Sequence, residues 1–140
     1  MNEKKSIKPA RRVFEIHPQP DDTTCGPTCL HAVYRFFNDH ISLERVIKEV
    51  RMLEGGGTLA VFLGCHAIKR GYRAVIYTLN LHVFDPTWFE HNAEYMIERL
   101  RLRSKGKKDR RLSSAIDGYI EFLELGGEIR FRDMSVSIIK

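Results

Sequence analysis

Residues 19–29, Gln-Pro-Asp-Asp-Thr-Thr-Cys-Gly-Pro-Thr-Cys, place Cys25 between a turn-forming segment and a helical pattern, with Gln19 six positions upstream. Asp21 and Asp22 do not readily extend a strand, Thr24 is suited to cap a helix, and Pro27 suits a first turn whose N–H groups have no intrahelical partner. Cys25 is therefore expected near a helix N-terminus. The partial positive charge there favours a thiolate by about 0.3–2 kcal/mol, enough to lower a thiol pKa of about 8.5 by up to roughly one unit. Such a thiolate is a nucleophile toward a peptide or isopeptide carbonyl. The amide of Gln19, folded over the same point, would donate to the oxyanion that forms.

Acyl transfer by a thiol also requires a base, and the chain carries six histidines. His17 is close to Gln19 but belongs to a short extended arm, a poor mount for a base. His31, most of two helical turns after Cys25, points away from the helix start. His40 follows that helix, His66 falls within an apolar helical pattern and reads as a satisfied buried imidazole, and His82 and His91 flank the turn at Trp88. None is assigned as the base. Cys29, one turn after Cys25, reads as a small buried residue, because three residues separate the two cysteines where a thioredoxin-type redox pair has two. A zinc site from Cys25, Cys29, Cys65 and His66 has no paired Cys-x-x-Cys to support it. No metal or cofactor is expected.

The elements that must position Cys25 follow from periodicity. Residues 13–17 alternate as a short strand or extended arm. Leu30, Val33, Tyr34 and Phe37 recur at helical spacing, predicting a helix to about Asn38, and the extra apolar residues Ala32 and Phe36 suggest that it is central. Ser42 opens a second helix in the manner of a capping box, with Leu43, Val46, Ile47 and Val50 on one stripe. Gly55, Gly56 and Gly57 lack the lysine and hydroxyl residue of a nucleotide loop and read as a connector. Thr58 is expected to cap a buried third helix through Lys69, stopped by Gly71. Residues 72–78 read as a strand, and a turn at Asp85 and Pro86 should fold Phe84, Trp88 and Phe89 over the core. A fourth helix carries Met96 and Leu100, and a fifth carries Ile116, Tyr119 and Leu123, closed by Gly126 and Gly127. Residues 128–132 alternate as a strand, after which Asp133 or Ser135 caps one more helical pattern through Ile139.

At 140 residues and 43% apolar composition, one domain is the default, able to hide roughly two-thirds of its unfolded surface. Residues 1–12 read as a basic, flexible lead-in. The net charge of +5 is concentrated in residues 99–111, where eight basic residues face Asp109 alone and leave the remainder of the chain near −2. This tract reads as a solvated loop, with an anionic partner as the alternative. No aromatic residues interleave with it, so nucleic acid is not expected as a partner. An odd cysteine count and the lack of a secretory pattern point to the cytoplasm, and no stretch approaches a membrane span.

The run from Gln19 to Tyr34, together with residues 56–89 and 124–131, resembles the papain-like cysteine peptidases. The closest resemblance is to bacterial stand-alone proteins similar to the leader peptidase domains of bacteriocin exporters, cysteine peptidase family thirty-nine. The resemblance implies an α+β fold over residues 13–140: the helix-dominated lobe of such a peptidase, with its central helix starting at the nucleophile and few short strands. It implies that Cys25 is the nucleophile and Gln19 the oxyanion donor, acting on a peptide or protein substrate. In that family the histidine and its aspartate or asparagine partner come from a sheet in the C-terminal half of the domain, which this chain is expected to lack. Exposed apolar faces would then favour self-association. A deamidase or transglutaminase would use the same intermediate, and a catalytically incomplete peptide-binding module is the alternative outside enzymes.

Overall fold

In the computed structural model, which describes residues 14–106 and 109–132, the turn before Cys25 opens directly into α1 (Cys25–Phe36). Thr24 holds the N-cap position, yet its side chain makes no cap bond; the hydroxyl donates instead to the Asp21 carbonyl at 3.2 Å. The helix ends at Phe36, before the expected Asn38, because Asn38 takes the left-handed conformation with φ of 58°, one of the few non-glycine residues that adopts it without much cost. Helix α2 (Leu43–Glu49) begins at Ser42, whose Oγ accepts from the Arg45 N–H at 3.2 Å. Arg45 stands where a glutamate would complete a reciprocal box, so only half of it is made.

Helix α3 (Ala60–Lys69) starts after Leu59 and not from Thr58, because the Thr58 hydroxyl donates to the Arg51 carbonyl at 2.7 Å and ties the preceding connector to itself. Gly71, at φ of 92°, ends α3 as expected. Strand β1 (Val75–Thr78) is the C-terminal part of the predicted 72–78 strand. A 3₁₀ turn over Pro86–Glu90 follows, with Asp85 accepting from the Thr87 N–H at 2.9 Å. Then come α4 (Ala93–Ser104), α5 (Arg110–Glu124) and β2 (Glu128–Phe131). The two strands pair in parallel, Val75 opposite Glu128 and Thr78 opposite Phe131. Parallel pairing demands a long crossover, which the 3₁₀ turn, α4 and α5 supply. The described residues are thus mixed helix and small sheet, with five α-helices and two strands.

Two apolar clusters lie on either side of α5. Leu30, Tyr34, Val46, Val61, Phe62 and Cys65 form one with Phe122; Val83, Phe84, Trp88, Met96 and Leu100 form the other with Ile116 and Leu123. Helix α3 packs on α1, α5 and β1, whereas α1 packs mainly on α2 and α3, so α3 occupies the middle and α1 flanks it. Gly118 permits the α3–α5 approach: a Cβ there would stand 2.7 Å from Phe62 Cε1 and 2.9 Å from Val61 Cγ1.

The basic tract is largely helical, contrary to the loop expected. Arg99, Arg101 and Arg103 belong to the last turns of α4 and Arg110 and Arg111 to the first turn of α5. Arginine is a good helix former, and cations suit the C-terminal end of α4. Arg101 pairs with Glu124 at 2.7 Å, and the Arg103 guanidinium lies 4.6 Å from the Trp88 ring centre. Lys107 and Lys108, the lead-in 1–12 with residue 13, and the helix expected after Asp133 lie outside the described residues. No helix among the described residues is long and apolar enough to cross a membrane.

Candidate thiol site

Cys25 is the first residue of α1 and is exposed. No side chain caps this end of the helix. The N–H groups of Cys25 and Gly26 belong to the positive end of the helix dipole, while Pro27 has none to offer. The turn that delivers the sulfur is held by Asp21: its Oδ1 accepts from the Thr23 hydroxyl at 2.7 Å and the Thr23 N–H at 2.8 Å. These bonds, the hydroxyl first, keep the Asp21 carboxyl below the usual carboxylate range. Gln19 is exposed in the same turn, and its Nε2 donates to the Asp21 carbonyl at 2.7 Å. Inside the helix, the buried Thr28 hydroxyl donates to the Thr24 carbonyl at 2.7 Å and pins the first turn.

The glycine-rich connector lies against this turn, a contact that the sequence reading did not anticipate. Gly56, at φ of 98°, comes so close to Thr23 that a Cβ would stand 2.7 Å from the Thr23 methyl. A Cβ on Gly26 would collide with the Thr58 methyl. Glycine beside Cys25 was the available signal, since a missing side chain marks a place where backbone is approached closely. Beyond Gly56 a cleft of about 600 Å³ opens between the connector and the start of α5, lined by Arg51, Glu54, Arg110, Arg111, Ser113 and Ser114. Arg110 pairs across it with Glu54 at 3.1 Å.

Cys29 is exposed, which corrects the expectation of a buried residue. Residues 25 and 29 share one helical face, and α1 turns Thr28, Leu30, His31 and Tyr34 inward, leaving the cysteine face to solvent. Cys65 is the buried thiol; its Sγ donates to the Gly118 carbonyl at 3.6 Å, and burial, with Glu121 nearby, pushes its pKa up to about 11.

His17 and His66 are bonded to other groups than Cys25. His66 is buried as expected, its Nδ1 2.7 Å from the Tyr34 hydroxyl and its Nε2 3.0 Å from Glu49 Oε1. Residues 14–17 form an arm and no strand. Phe14 stacks on Phe36 with centres 4.8 Å apart, and His17 Nε2 meets Arg35 Nη1 at 2.8 Å. His31 is buried within α1. His82 and His91 are exposed, the latter stacked on Tyr95. No hydrogen bond among the described residues joins an imidazole to Cys25 Sγ, and no group of three or more His, Cys, Asp or Glu side chains there is placed to hold a metal ion.

No family model matches this sequence, and neither a curated protein nor a solved structure matches it.

Proposed function

We propose that the chain is a papain-like cysteine hydrolase, in which Cys25 attacks a peptide or isopeptide carbonyl. One observation carries this reading: the sulfur stands exposed on the first residue of α1, at a helix end that no side chain caps. Negative charge is favoured there, on the thiolate and on the oxyanion beside it. The thiolate adds to the carbonyl carbon, and Gln19 Nε2, released from the Asp21 carbonyl, donates to the oxygen. Collapse expels the amine with a proton and leaves a thioester, which water cleaves to the acid and free thiol. His17 is bonded to Arg35, and His66 to Tyr34 and Glu49; none of the six imidazoles is bonded to Cys25 Sγ, and none is assigned as the proton-transferring base. The cleft past Gly56 supports a peptide or protein as partner.

Iodoacetamide labelling resolved by cysteine tests the reading. Cys25 is expected to react at least about tenfold faster than Cys29 near pH 7, and Cys65 to stay silent until the chain unfolds. Equal rates at Cys25 and Cys29, both exposed, would remove the hydrolase reading. The absence of an imidazole bonded to Cys25 favours a second reading, a peptide-binding module without turnover. Acylation of Cys25 by an activated peptide ester, read by intact mass, separates the two: the module gives no acyl-enzyme.

A further inference from the structure

A second pocket, of about 340 Å³, lies beside α1 between the 14–17 arm and the start of α2, lined by His17, His31, Arg35, His40 and Ser42. Every titratable side chain in that lining is a cation or becomes one on protonation. Arg35 has no lone pair to give, so its 2.8 Å bond to His17 Nε2 requires the imidazole to accept, in its neutral form. Glu15 pairs with Arg35 Nη2 at 3.2 Å from a largely exposed position, whereas Asp39, beside His40, is taken up by Arg70 and Tyr72. His31 is only 3% exposed, its ring sits edge-on to His17 with centres 5.0 Å apart, and its Nδ1 has no hydrogen-bond partner. Ser42 Oγ accepts from Arg45 N–H and keeps its own proton to donate. Three imidazoles invite the thought of a metal, but the guanidinium set among them repels a cation, and the described ligands form no metal group.

We propose that this pocket binds a small dianionic oxyanion of the phosphate class, held by Arg35, His17 and His31, with Glu15 as the internal carboxylate that it displaces. When His17 takes a proton, its contact with Arg35 becomes donor against donor, and an anion placed between them satisfies both. Burial first, then the neighbouring His17 and Arg35, hold His31 below the usual imidazole range, with only the Ile41 backbone opposing; a bound dianion offsets the guanidinium charge beside it. Binding should therefore strengthen as pH falls through the imidazole range and should raise the His31 pKa in return. His17, Arg35 and His40 are the charged or titratable groups that line the pocket with His31, and Glu15 reaches it through its pair with Arg35.

The test is an NMR titration of the histidine ring protons of the full chain at constant ionic strength. Sulfate serves as the first probe because it remains a dianion across the range. Saturable shifts at His31 and His17 are expected, with affinity about tenfold higher at pH 6 than at pH 7.5. Arg35→Gln should weaken binding by about tenfold or more, and Glu15→Gln should strengthen it. Inorganic phosphate and glycerol 3-phosphate form the remaining arms: equal affinity assigns the site to the free ion, and tighter ester binding to a phosphorylated small molecule. Shifts that chloride reproduces, affinity unchanged in Arg35→Gln, or binding that weakens toward pH 6 would overturn the proposal. None of these readouts involves Cys25.

Discussion

The Tyr34 hydroxyl lies 2.7 Å from His66 Nδ1 while Glu49 Oε1 lies 3.0 Å from His66 Nε2, so one buried imidazole ties α1 and α2 to α3. The Glu49 carboxylate only accepts, so Nε2 carries the hydrogen, and the Tyr34 hydroxyl is the hydrogen-bond partner of Nδ1. The bond to His66, then that to Arg45, keeps Glu49 below the usual carboxylate range. Burial drives the Tyr34 phenol well above its ordinary value, so the hydroxyl keeps its proton. This clasp orients α1, and with it the exposed sulfur at the far end of the helix.

Tyr34→Phe leaves His66 Nδ1 buried without its hydrogen-bond partner. The expected loss is about 1–3 kcal/mol of stability, read from urea unfolding, with the secondary-structure content unchanged. A loss below about 0.5 kcal/mol would mean that the hydroxyl and the ring are not bonded in solution.

Asp39 receives Arg70 through two bonds, at 3.1 and 2.5 Å, and the Tyr72 hydroxyl at 3.0 Å. Arg70, and then Tyr72, hold its carboxyl below the ordinary range against the opposing effect of burial. A depressed folded pKa stabilises the fold above the unfolded carboxyl value of about 3.9 and ceases to do so as pH falls through the lower, folded value. Asp39→Asn should therefore cost about 1–2 kcal/mol at pH 7, a deficit that stays level to about pH 5 and shrinks below about pH 4. A deficit that grows on acidification would contradict this assignment.

Gly118→Ala sets two effects against each other. Alanine is favoured over glycine within a helix by up to about 1 kcal/mol, but here its methyl meets Phe62 and Val61 inside 3.0 Å. Overpacking of this kind costs about 1–3 kcal/mol, so net destabilisation is expected in denaturant unfolding. A stabilised variant would show that α3 and α5 can separate at little cost.

Local chemistry was legible wherever one residue decides it. Ser42 begins α2, Gly71 and Gly126 end α3 and α5 with positive φ, and Cys25 heads α1, each through interactions spanning a few residues. Thr58 failed as a cap signal because its hydroxyl found the Arg51 carbonyl, seven residues back, and Thr24 because its hydroxyl turned to Asp21. A hydroxyl accepts whichever local partner the folded loop offers, and the sequence ranks those partners poorly.

By itself, then, the sequence determined the helical segments, the strands near residues 72–78 and 128–132 and the placing of a cysteine at a helix start, because caps, glycines and apolar periodicity act within about a turn. Only the tertiary structure decided that Cys29 faces solvent, that β1 and β2 pair in parallel, that the connector lies on the Cys25 turn, and that His17, His31 and Arg35 share a pocket. Each of these depends on contacts between residues distant in the chain. Periodicity marks a face without saying what covers it, and the covering element sets exposure, pairing and the company that each charge keeps.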